Sequence, residues 1–167
     1  MGAKAISIYE NNPEFPQVLK NLDNQPKKLS ILGNYLESDW EGITVVGSRR
    51  MTSYGKDVVE SIVGEVVTAG FTIISGLAFG VDTTSSELAL NLGGRTIAVL
   101  GSGINNIRPQ ENLEIAKRII ESGQGAIISQ FEPNTDGSKQ TFPKRDYLMA
   151  ALGSRAGHLP HLCRAGG

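Results

Sequence analysis

Residues 43–76 read ITVVGSRRMTSYGKDVVESIVGEVVTAGFTIISG, and this stretch decides the fold. The β-branched run ITVV predicts a strand that ends at Gly47. From Gly55 to Ala69 the apolar residues recur at the spacing of one helix face, and Gly70 ends the predicted helix. The run FTII then predicts a second strand. The stretch is therefore a strand–helix–strand unit whose strands end in small residues.

The same alternation continues along the chain. We predict further strands at 96–100 and 126–129, helices from Asp82 or Thr83 to Leu92 and from 111 to 121, and a last helix at 147–152. Alternating strands and helices favour a parallel sheet, and right-handed crossovers cover it with helices. The predicted fold class is α/β: a Rossmann-like, doubly wound, mostly parallel sheet with helices on both faces.

The two ends of the chain depart from this pattern. We expect residues 1–40 to form a short helical leader, because Phe15, Val18, Leu19 and Leu22 match one amphipathic helix. Residues 41–154 are assigned to the Rossmann-like domain. Residues 155–167 are assigned to an irregular tail, since they follow neither helical nor strand periodicity.

Composition limits the classes of function. The 167 residues carry a formal net charge of −1, so a polyanion would have to meet a local cationic patch. We expect no metal site, because His158, His161 and Cys163 are the chain's soft ligands and do not follow a zinc spacing. No apolar segment approaches the ~20 residues that span a bilayer, and no signal peptide is recognisable. We therefore expect a cytoplasmic protein without a membrane partner.

The turns that follow the predicted strands are the first candidate site. Ligands of such sheets bind beyond the carboxyl ends of the strands, where backbone N–H groups suit anions. The Arg49 guanidinium suits phosphate, although a solvated arginine is the simpler interpretation. Asp82 fits a helix cap at least as well as a catalytic role. The candidate residues in these turns are Gly47, Ser48, Arg49, Ser75, Gly76, Ala78, Gly80, Gly101, Ser102 and Gly103.

A second candidate segment is Phe142-Pro143-Lys144-Arg145. A nucleic-acid base can stack on Phe142 while Lys144 and Arg145 meet phosphates, and a solvated loop with a core phenylalanine is the alternative interpretation. No Ser/His/Asp set lies in the regular domain, and no P-loop occurs. Asn106 stands where a dinucleotide fingerprint needs a third small residue. We expect neither a cofactor nor catalysis.

Six short motifs follow one another between residues 13 and 154. They are a leader motif with Phe15-Pro16, Leu19, Leu22, Asp23, Pro26, Leu29 and Gly33; Val46-Gly47-Ser48-Arg49 with Thr52, Tyr54 and Gly55; Ser75-Gly76-Leu77-Ala78 with Gly80-Val81-Asp82; Gly94 and Thr96-Ile97-Ala98-Val99-Leu100-Gly101 with Gly103; Pro109 with Asn112; and Phe142-Pro143 with Arg145. In this combination the chain resembles the DNA-processing protein A family (DprA, also called Smf).

The resemblance implies a function. Family members bind single-stranded DNA, displace or coexist with single-strand-binding protein, and load the RecA recombinase during natural transformation. They usually dimerise through the Rossmann-like domain, and no catalytic activity is established for them. By motif match, the residues expected to line the DNA-phosphate pocket are Ser48, Arg49, Ser75, Gly76, Gly80, Gly101, Gly103, Lys144 and Arg145.

The chain also departs from the family pattern. Ser86, Arg108, Gln130 and Asp146 stand where the family usually has histidine, tyrosine, glutamate and asparagine. We expect weaker DNA binding, because the run Arg145-Asp146-Tyr147 has lost a pocket cation and gained an acid. After Gly153-Ser154 the family continues through further strands. We interpret the tail here as a truncated product or a shifted reading frame.

Two other functions stay open on the sequence. One is an enzyme that resembles the Rossmann-like nucleoside-monophosphate phosphoribohydrolases, although their P-G-G-x-G-T signature is absent. The other is a sensor of nucleotides or small phosphates that uses the same turns. Fold analogy alone is a weak reason for either.

Overall fold

The computed structural model describes residues 4–153 and the backbone of residues 163–165. Its strands are β1 (Ile6–Tyr9), β2 (Lys28–Gly33), β3 (Ile43–Gly47), β4 (Ile73–Ser75), β5 (Thr96–Val99), β6 (Gly125–Ser129) and β7 (Cys163–Ala165). Its α-helices are α1 (Ser53–Thr68), α2 (Val81–Asn91), α3 (Leu113–Glu121) and α4 (Thr141–Leu152). The strands form one sheet in the order β1-β2-β6-β5-β4-β3-β7.

The sheet is mostly parallel, as predicted. Strands β3, β4, β5 and β6 lie side by side in chain order and run in the same direction. Only β2, beside β6, and β1, beside β2, pair in antiparallel fashion. The carboxyl ends of β3 to β6 therefore meet at one edge of the sheet, which confirms the Rossmann-like α/β fold class.

Alternating side chains of the central strand β5, together with Leu100 just after it, build a core on each face. Ile97 and Val99 pack into a cluster with α4 and the leader, whereas Ala98 and Leu100 pack with α3 on the other face. Helices α1 and α2 cover the neighbouring part of the sheet around Val45 and Ile73. Both faces of the sheet are therefore buried, as a parallel sheet requires.

The leader differs from its predicted helical form. A single 3-10 turn, Gln17–Leu19, replaces the expected helix, and β1 and β2 on either side of it join the main sheet. Ile31 and Leu29 are buried there against residues far along the chain. The pattern within residues 1–40 does not predict these strands, because β1 pairs with β2 and β2 pairs with β6, which is about a hundred residues away.

Two further predicted boundaries differ from those in the structure. Helix α4 begins at Thr141, six residues before the predicted start at 147, so residues 142–145 lie in its first turns and not in a loop. Pro143 is compatible with this position, since the first helical turn needs no donor from its N–H. Within the tail predicted to be irregular, residues 163–165 form a strand parallel to β3. In the described part of the chain, no helix is long and apolar enough to cross a membrane.

Candidate nucleic-acid interface

A half-open cavity of about 420 Å³ lies at the carboxyl edge of the sheet. We name it the rim cavity. It brings together the loops after β3, β4 and β5 and the start of α4. Its lining residues are Arg49, Gly76, Ala78, Phe79, Gly101, Ser102, Arg108, Pro109, Gln110, Glu111, Gly137, Phe142 and Arg145. The two candidate segments of the sequence, the strand-end turns and the start of α4, therefore share one site.

Exposed cations and aromatic rings surround this cavity. The side chains of Arg49 and Arg108 are exposed. Phe79 is 41% exposed and Phe142 is 36% exposed, which is high for phenylalanine. Guanidinium groups suit phosphates, and an exposed ring offers a stacking surface to a base. The cavity thus presents groups that can bind a phosphate and aromatic surfaces on which a flat ring can stack.

The turn after β4 already binds a carboxyl group of the chain itself. The Oδ2 atom of Asp82 accepts the backbone N–H of Gly76 at 3.1 Å and that of Ala78 at 3.4 Å. Burial raises the pKa of the Asp82 carboxyl, although the charge of Arg145 and the backbone donors of Ala78, Gly76 and Gly47 oppose that shift. These amides are therefore engaged by Asp82, which organises the turn.

Arg145, predicted to contact phosphate, lines the rim cavity but is mostly buried. It is 6% exposed, and its Nη1 donates to the carbonyl oxygens of Gly76 and Val99 at 2.7 and 3.3 Å. Its Nε donates to the exposed carboxylate of Asp146 at 2.7 Å. The guanidinium is the floor of the rim cavity and ties α4 to the ends of β4 and β5.

Two glycines allow the loops to approach each other. Gly80 has φ +76°, and a Cβ there would lie 2.2 Å from the carbonyl oxygen of Ser48. A Cβ on Gly101 would lie 2.5 Å from the ring of Phe142. Only glycine lets the start of α2 touch the Arg49 loop and lets Phe142 lie over the end of β5.

Several predicted residues serve the architecture of the turns. The hydroxyl of Ser48 bonds within its own loop to Arg50, and the buried hydroxyl of Ser75 donates to the carbonyl of Val45. The hydroxyl of Ser102 donates to Asn106. A Cβ on Gly103 would collide with the backbone of residues 132–133. Gly47 lines a smaller cavity of about 300 Å³ that shares Arg49, Ala78 and Arg145 with the rim cavity.

Lys144 lies apart from the other candidates. It lines a separate groove of about 480 Å³, together with the leader residues Leu22 to Pro26 and with Tyr147. On a helix, positions 142 and 145 share a face, whereas position 144 points to another side. Because α4 was predicted to begin only at residue 147, the sequence did not predict that Lys144 and Arg145 point to different sides of this helix.

The sequence from residue 6 to residue 156 matches the family described as DNA recombination-mediator protein A. The chain belongs to this family. Protein Smf of Synechocystis sp. is 35% identical over 150 residues, which make up 87% of this chain and 37% of the relative. The DNA processing protein DprA of Bacillus subtilis is 34% identical over 152 residues, 90% of this chain and 50% of the relative. The chain therefore spans at most half the length of these two recombination-mediator relatives.

Solved structures of the recombination-mediator family share the fold. DNA processing protein A from Streptococcus pneumoniae superposes with a TM-score of 0.76 at 30% identity, covering 89% of this chain and 52% of that one. The Helicobacter pylori protein, whose structure concerns its single-stranded DNA binding mode, has a TM-score of 0.76 at 28% identity and covers 89% and 66%. The family assignment made from six motifs is thus confirmed.

Six lining residues of the rim cavity were not among the predicted site residues: Phe79, Arg108, Pro109, Gln110, Glu111 and Gly137. Phe79 lies between Gly76 and Gly80. A bulky apolar residue in a loop was the sequence feature that could have indicated it. Arg108 was noted only as a departure from the family tyrosine, although its charge was readable from the sequence. The expectation that the soft ligands form no metal site stays a prediction, because His158 and His161 lie outside the described residues and only the backbone of Cys163 is described.

Proposed function

We propose that the rim cavity binds the backbone of single-stranded DNA without sequence preference. The observation that carries this proposal is the convergence of Arg49, Arg108, Phe79 and Phe142 on one half-open cavity. The arginines suit phosphates, and the rings suit bases of any kind, because every base has a π-face. Membership of the recombination-mediator family and the DNA-binding mode described for the H. pylori relative support it.

The geometry favours binding over catalysis. Asp82, the buried carboxylate nearest the cavity floor, is occupied by the amides of Gly76 and Ala78. A group held in that way organises a turn and is poorly placed to move a proton on a ligand. We therefore propose a non-enzymatic mediator.

The wider role follows from the family and is a proposal for this chain. Relatives named DNA processing proteins support a role in processing DNA, and the family resemblance extends the proposal to natural transformation. On that basis the expected partners are the RecA recombinase and single-strand-binding protein, with a second copy of the chain as dimer partner and the cytoplasm as the location.

A fluorescence-anisotropy titration tests the binding function. Labelled oligo-dT is titrated with the full chain at low salt and at several higher salt concentrations, with AMP as competitor. We expect the logarithm of the affinity to fall linearly with the logarithm of salt, and Arg49→Gln to flatten that slope by about 0.7. The control is Arg118→Gln, an exposed arginine on α3 whose Nη2 bonds to Asn91. Absence of binding at low salt, or stronger binding of AMP than of DNA, would overturn the proposal.

A further inference from the structure

Arg108 is an exposed cation that faces the rim cavity from the loop after β5. Three arginines line this cavity, and Arg145 is 6% exposed, with its Nε and Nη1 atoms engaged by protein oxygens. Among the lining residues, Arg49 and Arg108 are therefore the two exposed cations. They come from separate loops, one after β3 and the other after β5.

A hydrogen bond from its Nε atom orients the side chain of Arg108. Its Nε donates to the Oδ1 atom of Asn106 at 3.0 Å. The Nδ2 atom of Asn106 donates to the carboxylate of Asp136 at 2.5 Å, and the carbonyl oxygen of Asn106 accepts the hydroxyl of Ser102 at 2.6 Å. The Nη groups of Arg108 have no hydrogen bond within residues 4–153. The guanidinium is thus held through its Nε atom, and its Nη donors stay open. Phosphate recognition requires this arrangement.

We propose that Arg108 makes a second backbone-phosphate contact in the rim cavity, in addition to that of Arg49; this inference rests on the proposed single-stranded DNA binding. The two arginines hold successive stretches of the same strand, with the rings of Phe79 and Phe142 against the bases between them. Arg108 increases affinity for any sequence, because phosphates are the same in all of them. Asn106 is its positioning residue.

The test compares the salt dependence of binding in matched variants of the full chain. Arg108→Gln should lower oligo-dT affinity roughly tenfold at low salt and reduce the slope of log affinity against log salt by about 0.7, which corresponds to one lost phosphate contact on a single strand. Arg108→Lys keeps the charge and loses the planar fork, so it should retain the slope while losing part of the affinity. Arg118→Gln should leave both quantities unchanged. Circular dichroism checks that each variant is folded.

The outcomes separate the two proposals. If the wild-type chain does not bind oligo-dT, the proposed function fails, and the Arg108 assignment with it. If the wild type binds and Arg108→Gln matches Arg118→Gln in slope and affinity, only the Arg108 assignment is wrong. A loss confined to guanine-containing oligonucleotides, with oligo-dT unaffected, would also overturn it, because that pattern indicates a base contact.

Discussion

The Nη1 atom of Arg145 donates a 2.7 Å hydrogen bond to the carbonyl oxygen of Gly76. This contact ties helix α4 to the turn after β4. It leaves no room for any side chain at position 76, where a Cβ would lie 1.9 Å from the same nitrogen. Arg145, a predicted DNA contact, therefore lies at the floor of the cavity, whereas Arg49 and Arg108 are exposed at the same cavity.

Replacing Arg145 should destabilise the fold. Arg145→Met removes the donors for the carbonyls of Gly76 and Val99 and the positive charge beside buried Asp82. We expect the free energy of unfolding to fall by about 3–5 kcal/mol, measured by urea denaturation. The neighbouring Lys144→Met is the control: its side chain is exposed, and the change should stay within about 0.5 kcal/mol. Equal effects of the two variants would contradict the structural role of Arg145.

The buried Asp82 carboxyl makes stability depend on pH. Its raised pKa means that the native protein binds this proton more tightly than the unfolded chain does. Relative to Asp82→Asn, the wild type should therefore be most stable below the ordinary value of 3.8 and should lose stability as the pH rises through the raised pKa. Urea denaturation of both proteins from about pH 3.5 to pH 7 gives the difference between their free energies of unfolding. The contributions of the other carboxylates cancel in this difference. If the wild type instead gains stability relative to Asp82→Asn as the pH rises, the interaction with Arg145 outweighs burial.

Gly80 should resist substitution for two separate reasons. Its φ of +76° is unfavourable for alanine, and the added Cβ would lie 2.2 Å from the carbonyl oxygen of Ser48. Gly70→Ala is the matched control, since Gly70 has φ +85° and open space around it. We expect Gly70→Ala to cost about 1 kcal/mol and Gly80→Ala about 2 kcal/mol more, with weaker oligo-dT binding only in the latter. Similar values of unfolding free energy for both would refute the close loop contact.

Phe142 should contribute to DNA affinity through stacking. It is 36% exposed at the rim cavity, and a stacked base is worth about 1–3 kcal/mol. Phe142→Leu should therefore weaken oligo-dT binding by about 5- to 150-fold without changing the salt slope, because no charge is removed. Tyr9→Leu, which removes an exposed ring on the edge strand β1, is the control. An unchanged affinity for Phe142→Leu, measured by anisotropy, would contradict base stacking on this ring.

Glu111 is the carboxylate that shares the rim cavity with the two exposed arginines. A negative charge there repels phosphate, so Glu111→Gln should tighten oligo-dT binding a few-fold at low salt, and the gain should fade as salt screens the charge. Glu114→Gln is the control, because Glu114 is an exposed residue of α3 paired with Lys117 and lies outside the cavity lining. If Glu111→Gln binds DNA more weakly than the wild type, Glu111 faces the bases or orders the loop.

Local pattern was enough to predict the parallel part of the sheet. The β-branched runs and glycine stops between residues 43 and 129 place β3 to β6 and α1 to α3 within a few residues of their observed bounds. These segments carry their own periodicity, because each is buried on one or both faces. The leader strands were missed, since β2 is specified mainly by its pairing with β6.

The sequence alone determined the family, the fold class and the meeting of four strand ends at one edge, because hydrophobic period and ordered motifs are local properties of the chain. Only the tertiary structure decided which cations are exposed at the rim cavity. Arg145 and Lys144 are neighbours in sequence, yet one is buried under the Gly76 turn and the other lies in a separate groove. Side-chain burial depends on how α4 packs against β4 and β5, and that packing follows from contacts between residues about fifty to seventy positions apart.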